Sequence, residues 1–121
     1  MLKQPQTQET ATVCTTADPG ICGFPCTIRA RKSDPRTVLV EIGETECEQI
    51  SKLAQKINQI SLRELFAPLT RNPVYAAAQQ CGCHASCIIP AAILKTAEIA
   101  MEMALPKPVL IEFEICKKTE K

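Results

Sequence analysis

The chain has no tryptophan, one tyrosine and three phenylalanines among 121 residues. Lysine and arginine together number 14 against 13 acidic residues, evenly mixed along the sequence. No basic stripe with interleaved aromatics exists, so nothing tracks a phosphate backbone or stacks bases, and no nucleic-acid partner is expected. Long apolar runs are missing as well. No stretch is long enough to cross a bilayer, and Met1 to Val13 is too polar for the core of a signal peptide. No membrane partner is expected, and the chain is placed in the cytoplasm, where thiols stay reduced. Neither G-x-S-x-G nor H-E-x-x-H occurs, and the single histidine has no obvious carboxylate nearby to orient it. Hydrolase chemistry is therefore unsupported, and no catalytic residue is assigned. There is no internal repeat and no doubled C-x-x-C of the kind that marks a zinc ribbon.

What the sequence does have is thiol. Eight cysteines in a reduced compartment read as metal-binding or redox groups more readily than as a disulfide framework. Three of them share the stretch Cys81-Gly82-Cys83-His84-Ala85-Ser86-Cys87 with the only histidine. A chain of this length forms one domain with one core.

Residues 1–18 are polar and aperiodic and are expected to form a mobile tail, with Cys14 incidental in it. Asp18-Pro19-Gly20 is a turn. Phe24, Cys26, Ile28 and Ala30 alternate with Thr27, Arg29 and Arg31, as in a half-buried strand. Val38, Val40 and Ile42 alternate again, and Lys32 to Arg36 closes a hairpin between the two. Thr45 and Glu48 form a capping box ahead of Ile50, Leu53, Ala54 and Ile57 at helical spacing, with Cys47 on the same inward face. Ser61 and Glu64 form a second capping box before a short helix that stops ahead of Pro68. Asn72-Pro73 opens a helix to about Gln80, and Gly82 stops it. A strongly apolar helix runs from Pro90 to about Met103, with Pro106 and Pro108 ending it. Val109, Ile111, Phe113 and Ile115 then predict a third strand, with Cys116 on its opposite face. The expected fold is α+β in two layers: an antiparallel hairpin plus a C-terminal third strand, helices on one face, in a ββααβ-like order. The domain spans residues 19–116, and 117–121 form a solvated tail. Met101, Met103 and Leu105 leave the last helix too apolar for one small sheet to cover, which predicts a homodimer.

Cys47 and Cys87 are both placed near helix N-termini, where a thiolate is stabilised, and Cys22 lies where a loop enters the first strand. Cys83 and Cys87, or His84 and Cys87, share a face if their segment is helical. Cys26, mid-strand, reads as a small buried hydrophobe. Beyond this spacing, Pro19-Gly20-Ile21-Cys22-Gly23-Phe24, the helix-opening Cys47, His84-Ala85-Ser86-Cys87, Pro90 to Lys95 and Ala104-Leu105-Pro106-Lys107 resemble a family of small bacterial and archaeal proteins of unknown function. The resemblance covers residues 19 to about 112. It implies a recurring trio at Cys22, Cys47 and Cys87 with His84 beside them, and implies no reaction.

The sequence thus predicts a small Cys-rich metal-binding protein. Its ligands are Cys22, Cys47 and Cys87, with Cys83 or His84 as the fourth, and its partner is a metal ion or cluster. Zinc and an iron–sulfur cluster both suit this donor set. The alternatives are a thiol–disulfide redox protein, with Cys87 attacking and Cys83 or Cys22 resolving, and a scaffold that delivers metal or clusters.

Overall fold

A computed structural model describes residues 11–117, without the side chain of Cys22. The first ten residues of the expected mobile tail, and Lys118 to Lys121 of the expected C-terminal tail, lie outside the described residues. The architecture is α+β: one antiparallel sheet of four strands with helices packed on a single face.

The central hairpin follows from the two alternating stretches. Strand β2 is Cys26–Asp34 and β3 is Thr37–Ile42, with Ile28 opposite Ile42, Ala30 opposite Val40 and Lys32 opposite Val38. Those pairs point their apolar members to one face, so Ile28, Ala30, Val38, Val40 and Ile42 are all buried. Arg29, Arg31 and Glu41 take the outer face, with Arg29 directly across from Glu41. A bulge between Lys32 and Asp34 bends the hairpin into its turn, where Asp34 Oδ1 accepts from the Arg36 amide at 2.8 Å.

Two edge strands were not expected. Residues Val13–Ala17, assigned above to the tail, form β1, which pairs along its whole length with Cys26 to Ala30 of β2. Gln59–Ser61 forms β4, a three-residue strand on β3 that buries Ile60. The final sheet order is β1-β2-β3-β4.

The helices follow the capping chemistry closely. Helix α1 is Glu48–Lys56 and buries Ile50 and Leu53. Its N-cap is Cys47 rather than a Thr45/Glu48 capping box, because the Thr45 hydroxyl accepts from the Cys47 amide at 3.2 Å and closes a local turn instead. Helix α2, Leu62–Leu65, has the reciprocal Ser61/Glu64 box. A 3₁₀ turn at Leu69–Arg71 leads to α3, Pro73–Gln80, whose Asn72 cap accepts from the Val74 amide at 3.0 Å. The Asn72 amide also donates to the carbonyls of Glu64 and Ala67, so this buried side chain ties α2 to α3. Helix α4, Ile89–Ala100, lies across β1, β2 and β3 and buries Ile89, Ile93 and Ala97. Its Thr96 hydroxyl donates to the Ala92 carbonyl at 2.7 Å and stands 2.8 Å from the Thr15 hydroxyl of β1.

Past α4 the sequence expectation fails. The third strand expected at Val109 to Cys116 makes no ladder, and Leu105 to Lys117 is exposed throughout. The apolar alternation is present, but the segment pairs with neither edge of the sheet. Helix α4 also stops earlier than Pro106 would require: Met103 N–H donates to Glu98 O and Glu102 N–H to Ile99 O, with Glu102 at φ 65. That left-handed residue turns the chain out of the helix. Met101 is buried, whereas Met103 and Leu105 are exposed.

Candidate functional site

The sheet register gathers the candidate residues. Ala17 pairs with Cys26 and Ile28 with Ile42, so the β1–β2 loop and the link from β3 to α1 leave the same end of the sheet. The first of these loops carries Pro19, a 3₁₀ turn at Gly20–Cys22 and Phe24; the second ends on Cys47. The Gly20 amide donates to Asp18 Oδ1 at 2.9 Å, and Gly20 adopts φ +79, which its lack of a Cβ permits.

The third contributor is the turn between α3 and α4. Helix α3 ends with Cys83 N–H donating to Ala78 O at 3.0 Å and Gly82 N–H to Gln79 O at 3.1 Å, around Gly82 at φ 81. This six-to-one closure needs a left-handed residue, and Gly82 supplies it. It swings Cys83 off the helix axis. Cys83 to Cys87 is not helical: the Cys87 amide donates to the His84 carbonyl at 3.1 Å, a tight turn that folds the segment over on itself. Helical spacing is thus not what brings these side chains together.

Cys47, Cys83, His84 and Cys87 line one cavity of about 70 Å³. Pro19 and Phe24 form the wall from the β1–β2 loop, Gln49 and Ile50 that from α1, and Ile89 that from the start of α4. Four of the five residues singled out from the sequence therefore share a single lining. Cys22, the fifth, ends the 3₁₀ turn between two residues of that lining, Pro19 and Phe24. Cys14 and Cys116 are exposed, on β1 and on the C-terminal segment.

The thiols act on one another. Burial, followed by negative charge on Cys87, Cys81 and Cys47, pushes the Cys83 thiol up from an ordinary 9.0 to about 11. Burial also raises Cys26, again helped by Cys87 and Cys47. Cys26 is the buried core side chain that its strand position predicted, close enough to Cys87 and Cys47 to feel their charge. The thiol of Cys47 donates to Gln49 Oε1 at 3.4 Å, a bond that needs the protonated form. Burial thus adds to the ordinary preference of Cys83 and Cys26 for the protonated form at neutral pH, and a cation in their midst would oppose it. Among the described residues, no three His, Cys, Asp or Glu side chains are already placed at metal-holding geometry.

Pro19, Phe24, Gln49 and Cys26 were not foreseen as site residues. The Phe24 position in the strand pattern suggested a core side chain, yet β2 begins two residues later and leaves Phe24 46% exposed at the cavity. No sequence signal marked Gln49.

Fold and site together define a small α+β domain with a thiol-lined cavity at one end of its sheet. The chain belongs to the family of unknown function DUF6951, whose model matches residues 13–113. That match begins at the first residue of β1 and includes all four strands, all four helices and the start of the exposed C-terminal segment. No curated protein and no solved structure matches the chain. Among the described residues, no helix is long and apolar enough to cross a membrane.

Proposed function

We propose that the cavity is a thiolate site for one soft or borderline metal centre, zinc in the first instance, in a cytoplasmic protein. Cys22, Cys47 and Cys87 supply three sulfurs, and Cys83 or His84 completes the shell. The observation that carries this reading is the convergence of three thiols and the only imidazole on one small cavity, from the α1 N-cap and from a single turn. A shell of sulfurs with one imidazole is the donor set that tetrahedral zinc takes. Cys22 enters by its backbone position between two wall residues. Ligation closes the Cys83–Cys87 turn and the β1–β2 loop onto the cation, since the described ligands stand apart without it. Burial first, and then the neighbouring thiols, disfavour the Cys83 thiolate, and a divalent ion in the cavity would offset both.

The thiol–disulfide reading fits less well. A resolving thiol must attack as thiolate, and Cys83 holds its proton up to about pH 11. Metal analysis with a visible spectrum, on protein purified without oxygen, tests the proposal. The expected result is one zinc per chain and no colour, lost in Cys47→Ser and Cys87→Ser and retained in a Cys14→Ser/Cys116→Ser double variant. Absorption near ~400 nm would assign an iron–sulfur cluster to the same thiols. No metal together with a titratable disulfide would overturn the metal site in favour of redox chemistry.

A further inference from the structure

Residues 109–116 read Val-Leu-Ile-Glu-Phe-Glu-Ile-Cys. In an extended chain Val109, Ile111, Phe113 and Ile115 share one face, and Glu112, Glu114 and Cys116 share the other. Phe113 is 91% and Ile115 95% exposed. A contiguous apolar row of this kind on a soluble surface marks a binding face. The same chain carries the complementary half. Strand β1 is an edge, paired on one side to β2, and the unused N–H and C=O groups of an edge strand are a template for another strand. We propose that residues 109–116 are a donor strand that adds to β1 of a second copy of this chain, reciprocally, in a twofold dimer.

The linker points outward. Leu105-Pro106-Lys107-Pro108 contains two prolines, each fixing its own φ and holding the preceding residue extended. The Lys107 amide donates to the Leu105 carbonyl at 2.8 Å in a tight turn about Pro106, and everything beyond it is exposed and off its own sheet. The faces also agree. The inner row of β1, Val13, Thr15 and Ala17, lies against α4, so an apolar row placed beside it widens the layer that α4 covers. On the outer face, β2 presents Arg29, with only the short side chain of Cys14 opposite it on β1, and Arg31 just beyond the end of the β1 ladder. A donor strand with its apolar row inward turns Glu112 and Glu114 toward those arginines. A one-residue slip would reverse both features, so hydrophobic and electrostatic pairing select the same register.

Size and symmetry favour a second copy over a different protein. Each buried aliphatic or aromatic side chain hides roughly 60–120 Å². Two reciprocal strands and the edges they cover therefore bury on the order of 1,000–2,000 Å², the range of stable interfaces. Strand and edge are on one chain, so exchange between two copies satisfies both and closes the assembly. The family match runs to residue 113 and so takes in Val109, Ile111 and Phe113 of the apolar row.

Light scattering over a dilution series, with hydrogen exchange on the same full-length samples, tests the proposal. The wild type is expected at dimer mass, with slow amide exchange in both 13–17 and 109–116. Ile111→Asp and Phe113→Asp alter side chains that are exposed in the single chain, so the fold survives. Each is expected to weaken dimerisation at least tenfold and to speed exchange in both segments. Leu110→Asp, on the opposite face, is expected to weaken it less. A wild-type monomer at the highest concentration would overturn the proposal, including a monomer with slow exchange in 109–116, which would mean pairing within one chain. A dimer unaffected by both Asp variants would overturn it too. Metal content is expected to be the same in all variants, so this outcome and that of the thiol site are read separately.

Discussion

Residues at helix ends set much of this fold, and the two comparable C-termini show how differently such residues read from sequence. Helices α3 and α4 both close with a six-to-one hydrogen bond, from Cys83 to Ala78 and from Met103 to Glu98. The left-handed position is Gly82 in one and Glu102, at φ 65, in the other. Gly82 was legible as a stop because glycine adopts that conformation freely. Glu102 was not, and the helix was extended to Met103 on the strength of apolar periodicity. A non-glycine residue there costs about 1–2 kcal/mol, and a carboxylate at the negative end of a helix costs a few tenths more. Glu102→Gly should therefore stabilise the protein by about 0.5–1 kcal/mol, after the extra flexibility glycine gives the unfolded chain. Urea unfolding measures it. Glu102→Ala should recover only the smaller charge contribution, and an equal gain in both variants would rule out the conformational cause.

Among the elements, those with strong pattern were read correctly and those held by their neighbours were not. The β2–β3 hairpin, α2 with its Ser61/Glu64 box and α3 with its Asn72 cap were all plain from alternation and caps. Strand β1 was missed because Val-Cys-Thr-Thr-Ala has one large apolar residue, and its place comes from β2 on one side and α4 beneath. Strand β4 is three residues long, below the length at which alternation can be seen. The C-terminal strand was the reverse case: the pattern is strong, but the segment pairs with neither edge of its own sheet. The thiol site was legible in Cys47, Cys83, His84 and Cys87 although the helical geometry invoked for the last three was not the one found. Their wall was not legible, because Gln49 and Phe24 are set by where α1 and β2 begin. The bond between Thr96 and Thr15 is one place where α4 holds β1 in place. Thr96→Val keeps the volume and removes that bond, so it should cost about 1 kcal/mol. The loss should be local: amide exchange in Val13 to Ala17 should accelerate more than exchange in Val38 to Ile42. Uniform acceleration would mean that the bond supports the whole core rather than β1.

At the scale of the whole molecule, the burial of these thiols makes stability depend on pH in a direction opposite to that of ion-paired carboxylates, whose pKa folding depresses. Burial, reinforced by neighbouring thiols, raises Cys83 from 9.0 to about 11 and raises Cys26 in the same sense. A group whose pKa is raised on folding binds its proton more tightly in the native state. Between the unfolded and folded pKa values the native chain then carries more protons than the unfolded one, so stability falls as pH rises. The contribution is complete below pH 9 and is lost progressively toward pH 11. Metal-free protein should therefore show a falling urea midpoint across that window, beyond the loss seen in Cys83→Ala, where the Cys83 thiol is absent. A bound divalent ion changes the sign. With Cys83 as the fourth ligand its sulfur is a thiolate at neutral pH, its proton is no longer there for alkali to remove, and the fall over the same range should shrink to the share of Cys26. Acid should then be what destabilises the loaded protein, because protons compete with the ion for sulfur. Titrating both forms against pH, with metal content followed in parallel, separates the two behaviours. Identical profiles with and without added zinc would mean that the clustered thiols do not hold the ion, and that their raised pKa values reflect burial alone.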